Sequence, residues 1–389
     1  MVKRETAALA AALAREFKIL AIVGPRQAGK TTLARNVFPD MPYVNLEIPD
    51  TLRFALEDPR RFLGQYPDGV VIDEAQRCPQ LFSHLQVIVD ADRRPGRFVL
   101  TGSQHFALME KLTQSLAGRV GFLRLLPFSF NELLGADCAP RSLDEALFKG
   151  GYPPLYDQPV TVERWLDAYI ATYVERDVRQ LLNVRDLSAF QLFVRLCAGN
   201  VGQLLNLTRL GADAGIDQKT ARTWLGIIES SFITFRLNPH HRNFRKRLVK
   251  APKLYFYDTG LAVRLLGVES PDQIVTHPLR GALFENWVIG ELLKGRSARG
   301  KSDNLFFWRS HVGHEVDVIA EHGDRLTPVE IKSGATVASD WFDEMRLWTD
   351  LAGTVAGKPR VVYGGDEAQL RSGVEVVPWR RVGALAKAL

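Results

Sequence analysis

Gly24-Pro25-Arg26-Gln27-Ala28-Gly29-Lys30-Thr31-Thr32 follows an apolar run, Phe17 to Val23, and precedes an amphipathic stretch, Thr32 to Val37. Strand, glycine-rich loop and helix in that order make a phosphate-binding P-loop. Gly24 and Gly29 let the backbone curl into a cradle of N–H groups, and the helix that follows aims its positive end at the bound anion. All nine residues, Gly24 through Thr32, are expected to contact the ligand. Lys30 reaches the β- and γ-oxygens and Thr31 ligates Mg²⁺. The expected cofactors are ATP and Mg²⁺.

Val70-Val71-Ile72-Asp73-Glu74 is an apolar, β-branched run that ends in two carboxylates. Adjacent acids are common on solvated turns, but a buried strand downstream of a P-loop gives this pair the character of a Walker B motif. Asp73 is expected to hold Mg²⁺ through water, and Glu74 to orient or deprotonate the attacking water. Other strand candidates are Ile19–Val23, Tyr43–Leu46, Arg97–Thr101 and Val120–Leu126, with helical patterns between them. Such alternation implies a parallel sheet covered on both faces. Thr101, Ser103 and Gln104 then fall at the carboxyl edge beside the P-loop as candidate γ-phosphate sensors, with a capped helix start at Ser103 as the alternative. Arg119, in Leu116-Ala117-Gly118-Arg119, is either an arginine finger for a neighbouring subunit or a surface ion pair.

At 389 residues the chain is long enough for two or three domains, and 46% hydrophobic with 24% charged residues is the composition of a globular protein. Fifty Lys and Arg against 44 Asp and Glu leave a formal charge of +6, a mild bias toward a polyanionic partner. Cys78, Cys138 and Cys197 are far apart, which fits reduced thiols in a cytoplasm. Neither a signal peptide nor a membrane-spanning run is evident.

Residues 128–182 are mostly helical around Gly150-Gly151-Tyr152-Pro153-Pro154, and Arg176 or Arg179 is a weak candidate for a second sensor. Leu204–Gly215 and Gln218–Ser230 are two helices at turn spacing, followed by the strand-like runs Phe232–Leu237 and Leu248–Tyr257. That is a winged helix-turn-helix pattern. The connecting segment carries His240, Arg242, Arg245, Lys246, Arg247 and Lys250 with no acid, so residues 240–253 are expected to contact DNA phosphates. A helix-turn-helix used only for packing and a solvated basic loop are the alternatives.

Toward the C-terminus, Glu285 lies in a helical stretch, Gly281–Leu293, Asp317 in Glu315-Val316-Asp317-Val318-Ile319, and Glu330 and Lys332 in Pro328-Val329-Glu330-Ile331-Lys332-Ser333. Glu330 and Lys332 share a strand face that Asp317 reaches from the neighbouring strand of a hairpin. Three carboxylates and a lysine so placed suit Mg²⁺ or Mn²⁺ bound by Glu285, Asp317 and Glu330, with Lys332 positioning water for phosphodiester hydrolysis. The spacing resembles the PD-(D/E)XK nuclease core.

The ordered set formed by Leu100-Thr101-Gly102-Ser103, Leu116 to Arg119, Leu126 to Glu132, Gly150 to Pro153, Tyr255 to Leu261 and Gly281 to Asn286 resembles the prokaryotic AAA+ ATPase family with a C-terminal DUF4143 region. The resemblance covers nearly the whole chain. It implies an α/β protein with a P-loop AAA+ core over 1–127, a helical lid over 128–183, a winged helix-turn-helix over 184–260, and a restriction-endonuclease-like domain over 261–389. It carries over Lys30, Thr31, Asp73 and Glu74 as nucleotide residues and Glu285, Asp317, Glu330 and Lys332 as the nuclease-type set. An ATPase that assembles as a homo-oligomer, a hexamer by preference, and remodels or processes DNA, with branched DNA a plausible substrate, is the expected function. The alternative is a nucleotide-dependent switch or scaffold that recruits a protein partner and keeps an inactive nuclease-like domain.

Overall fold

The computed structural model describes the chain except residues 1, 93, 104–115, 178–185 and 241–248. Its packing divides the chain into two units. The first comprises Met1–Phe128 with Ser230–Phe232 and Ser297–Lys301, and the second Ser129–Glu229, Ile233–Arg296 and Ser302–Leu389.

The first unit is built on five strands, β1 (Ile19–Val23), β2 (Tyr43–Asn45), β3 (Val70–Asp73), β4 (Phe98–Gly102) and β5 (Val120–Arg124), in the order β2-β3-β4-β1-β5. Every pairing is parallel. β1, β3 and β4 are buried along their whole length, which is why they read as continuous apolar runs. Since β4 lies between β1 and β3, Thr101 stands level with Ile22, and Gly102 with Val23, at the carboxyl edge between the P-loop and Asp73.

The second unit carries eight strands: β6 (Thr234–Pro239), β7 (Lys253–Phe256), β8 (Leu305–Arg309), β9 (Glu315–His322), β10 (Arg325–Lys332), β11 (Arg360–Tyr363), β12 (Gln369–Arg371) and β13 (Val374–Pro378). They form one mixed sheet in the order β12-β13-β11-β10-β9-β8-β6-β7. The helices Leu207–Asp213 and Gln218–Ser230 stand where the paired helices are expected, but β6 and β7 are no free ribbon. β6 pairs with β7 through Thr234–Leu237 and then, through Asn238 and Pro239, with Phe306 and Phe307 of β8. Segments 128–183, 184–260 and 261–389 accordingly contribute to one hydrophobic core, from Phe130 through Trp224 and Phe284 to Trp379.

Two of the glycine-rich motifs interlock in that core. Asp258 is buried and caps the helix Thr259–Leu265 by accepting from Leu261 N at 3.0 Å, while its second oxygen accepts from Gly151 N at 2.7 Å. Gly150 adopts φ +66°, and a Cβ there would fall 2.3 Å from the Asp258 carboxylate. Only glycine fits on both counts.

Candidate functional site

The P-loop is shaped by steric exclusion. A Cβ on Gly24 would lie 2.0 Å from the carbonyl oxygen of Leu125, and Gly29, at φ +89°, is the left-handed residue from which the helix Lys30–Val37 departs. Gln27 also has positive φ, at 62°. Arg4, which the motif does not reveal, braces the loop by donating to Ala28 O at 2.8 Å and to Leu126 O at 2.6 Å. Lys30 is buried, and its ammonium donates to Gly24 O at 3.1 Å and Pro25 O at 2.7 Å. Burial pulls its pKa down to about 8, against the opposing pull of Glu74 and Asp73.

Asp73 gathers three hydroxyls. Its Oδ2 accepts from Thr31 Oγ1 at 2.8 Å and from Tyr43 OH at 2.6 Å, and its Oδ1 accepts from Thr101 Oγ1. Thr31 and Asp73 therefore meet at the foot of the loop, the pairing through which P-loop proteins hold Mg²⁺. One hydroxyl and one carboxylate suffice there, because this ion keeps several waters and takes the rest of its ligands from the phosphates. Tyr43 is a member that strand reading missed. Its pKa is raised by burial and by the hydrogen bond to Asp73, so it stays a donor.

Glu74 follows β3 in the left-handed region, at φ 55°, where a glutamate is rare. The neighbours over-determine it: its N–H donates to Thr101 Oγ1 at 3.3 Å, and its Oε2 accepts from Ser103 Oγ at 3.0 Å and from Gln76 Nε2. These contacts hold the residue in its strained conformation. Thr101 and Ser103 thus act on the acidic pair, while Gln104 lies outside the described residues.

Arg119 stands just before β5, whose Val120 is in register with Ile19 at the start of β1. It is at the sheet edge opposite the P-loop, and its guanidinium pairs with both oxygens of Asp90, at 2.6 and 2.8 Å. Arg179 lies outside the described residues, as do the side chain of Arg176 and the basic residues Arg242, Arg245, Lys246 and Arg247.

In the second unit, Glu285 on the helix Arg280–Ala298, Asp317 on β9, and Glu330 and Lys332 on β10 are brought into one cluster, of which Glu330 is buried and the other three are partly exposed. Val318 faces Val329, so the register carries Asp317 toward Glu330, and Asp317 Oδ2 accepts from Ile331 N at 2.8 Å. Lys332 donates to Glu330 Oε1 at 2.6 Å. A second lysine corrects the expected metal site. Lys253 of β7 lies 2.9 Å from Glu285 Oε1 and 2.5 Å from Glu315 Oε1, and Tyr255 OH also donates to Glu285. Among the described residues no group of three or more His, Cys, Asp or Glu side chains is placed to hold a metal ion. Of the three expected metal ligands, Glu285 is the one that Lys253 engages in an ion pair. Burial, and then Asp317, push Glu285 and Glu330 above the usual carboxylate range, and burial does the same to Asp317. For Lys253, burial is outweighed by Glu285, Asp317 and Glu315, so its pKa rises. Lys253, Tyr255 and Glu315 lie in stretches that the sequence singles out for other reasons, and nothing in them marks these side chains as partners of the carboxylates.

No helix among the described residues is long and apolar enough to cross a membrane.

Three family models match successive parts of the chain. Residues 16–134 match the AAA domain model, residues 140–272 a domain of unknown function (DUF8612), and residues 280–382 another (DUF4143). A Mycobacterium tuberculosis protein described as uncharacterized is 32% identical over 337 residues, covering 86% of this chain and 74% of its own. An uncharacterized Haemophilus influenzae protein is 25% identical over 247 residues, covering 60% of this chain and 58% of its own. A solved Walker-type ATPase of Pyrococcus abyssi is 14% identical and covers 68% of this chain and 96% of that one, with a TM-score of 0.47. With its P-loop AAA domain ahead of a DUF4143 region and this level of identity, the chain belongs to the family of AAA-domain proteins with a C-terminal DUF4143 region.

Proposed function

We propose that the chain hydrolyses ATP and uses the cycle to change how it holds DNA. The observation that carries the first part is the junction of Thr31, Asp73 and Glu74 at the carboxyl edge of the sheet. Lys30 leaves its carbonyl partners for the β- and γ-oxygens, and the loop N–H groups cradle the phosphates. Mg²⁺, when bound by Thr31 and Asp73, neutralises phosphate charge. Glu74 holds the attacking water in line and accepts its proton, while Ser103 and Gln76 keep the carboxylate from swinging away. Lys30→Ala is expected to abolish nucleotide binding, and Glu74→Gln to keep it while turnover falls by at least a hundredfold, read by filter binding and phosphate release. Equal loss of binding in both contradicts the role of Glu74.

DNA as the object rests on the acid-free basic segment within 240–253 and the paired helices, and a homo-oligomer on Arg119, which cannot reach its own P-loop from the opposite sheet edge. The salt dependence of DNA binding tests the former. Neutralising Arg245, Lys246 and Arg247 is expected to reduce the salt slope by about one unit for each phosphate that the protein no longer neutralises. One observation favours a second reading for the C-terminal region, a recruiting module without nuclease chemistry: Lys253 pairs with Glu285 and Glu315, which engages one of the carboxylates expected to hold metal.

A further inference from the structure

The second unit holds a cavity of about 920 Å³ that neither the P-loop nor the Lys253 cluster uses. One face of the helix Gln218–Ser230 lines it, with Gln218, Arg222, Gly226 and Glu229 following one another at intervals of four, four and three residues. Arg209, Arg236 and Arg309 also line it, each already paired with a carboxylate. Arg236 is held by Glu229 at 2.6 and 3.0 Å, Arg309 by Glu315 at 3.2 Å and Arg209 by Asp213 at 3.6 Å. Arg222 is exposed and has no hydrogen-bond or ion-pair partner among the described residues.

Gly226 supplies the second observation. Glycine is a poor helix former, and a Cβ on Gly226, which is exposed, would meet nothing within 4 Å. What the missing side chain provides is open volume in the cavity. The remaining lining pairs amides, Asn200, Gln203 and Asn206, with apolar surface from Leu204, Leu207 and Pro252.

We propose that this cavity binds a nucleoside-phosphate unit, with the Arg222 guanidinium on phosphate, the amides on the edge of the base and the leucine and proline side chains against its face. Its volume suits a body of drug size, whereas a duplex, whose major groove alone is about 12 Å wide, does not fit inside. The unit comes either as a free nucleotide or as part of a single strand. In the second case the inference rests on the DNA reading, and in neither does it rest on ATP hydrolysis.

The test uses the full chain carrying Lys30→Ala, which removes the P-loop as a competing site, titrated with AMP, with a 5′-phosphorylated single strand and with a blunt duplex. AMP or the single strand is expected to saturate the protein. Arg222→Ala and Gly226→Leu are each expected to weaken that binding at least tenfold, while the unfolding temperature of Gly226→Leu does not fall. A strand bound more than tenfold tighter than AMP identifies nucleic acid as the source, and equal affinity identifies the free nucleotide. Binding unchanged in both variants, or no binding of either probe at millimolar concentration, overturns the proposal. Duplex bound equally by the parent and both variants, while AMP and the single strand do not bind, defeats the cavity and leaves the DNA reading standing.

Discussion

Raising the pH from 7.5 to 9.5 is expected to weaken nucleotide binding about 25-fold, because of Lys30. Burial holds the ammonium at about 8 in the free protein. Phosphates at the loop favour the charged form, so above pH 8 a nucleotide binds only as Lys30 takes up a proton, and affinity falls as the pH rises. Below about pH 7 the lysine is already charged and the dependence vanishes. A group at pKa 8 takes up about a quarter of a proton on binding at pH 7.5 and about three-quarters at pH 8.5. Integrated to pH 9.5, the loss is about 25-fold, or about 1.9 kcal/mol. Calorimetry with Mg²⁺-ADP in two buffers of different ionisation enthalpy counts those protons directly. No proton uptake at pH 8.5 refutes the reasoning and means that Glu74 and Asp73 hold the lysine charged despite its burial. The same shift acts on folding with the opposite slope: a lysine whose folded pKa is lowered disfavours the fold while charged, so its contribution to stability rises with pH from about 8 until the unfolded chain also loses its proton.

Lys253→Met leaves Glu285 and Glu315 without their shared cation and is expected to cost about 3–5 kcal/mol in denaturant unfolding at pH 8. The loss should shrink at pH 6, because Glu285, Asp317 and Glu330 already have raised pKa values and take up protons as the pH falls; an equal loss at both pH values argues against the cluster. Asn286→Ala is expected to cost about 2–3 kcal/mol in the same assay, since Asn286 accepts from Phe256 N at 2.6 Å and donates to Phe256 O at 3.1 Å from a buried position. Mixing Arg119→Ala with Lys30→Ala subunits is expected to restore part of the ATPase activity absent from either alone, and no recovery despite co-assembly counts against action between subunits. If the pair with Asp90 restrains Arg119, Asp90→Asn raises the wild-type rate.

What could be read from the sequence was what is local. The P-loop is nine consecutive residues with glycines where the backbone demands them. β1 and β3 are continuous apolar runs because both sheet faces are covered, so their bounds at Ile19–Val23 and Val70–Asp73 show directly. Hidden were partners brought in by pairing across distance. Tyr43 reaches Asp73 from an edge strand, and Lys253 enters the carboxylate cluster from a strand more than thirty residues before Glu285. The Glu285, Asp317, Glu330 and Lys332 spacing names four side chains of one cluster, yet spacing says nothing of a lysine supplied from elsewhere. The pairing of β6 is a further case: the run Phe232–Leu237 reads as a strand, and β6 does pair with β7, but nothing local marks the second neighbour that Asn238 and Pro239 take on.

That second neighbour sets an order of events during synthesis. β6 meets β8 only after about seventy further residues have been made, and β13, which lies between β11 and β12, comes later still. The helices Phe130–Gly135 and Arg280–Ala298 therefore leave the ribosome with Phe130 and Trp287 still lacking Trp379, the ring against which both pack, and wait for residues near the far end of the chain. The five strands of the first unit are complete by residue 124 and face no such delay. Nascent chains stalled before β8 should hence expose a sticky helical surface behind an already formed nucleotide fold, and need a holding chaperone in proportion to the length of that wait.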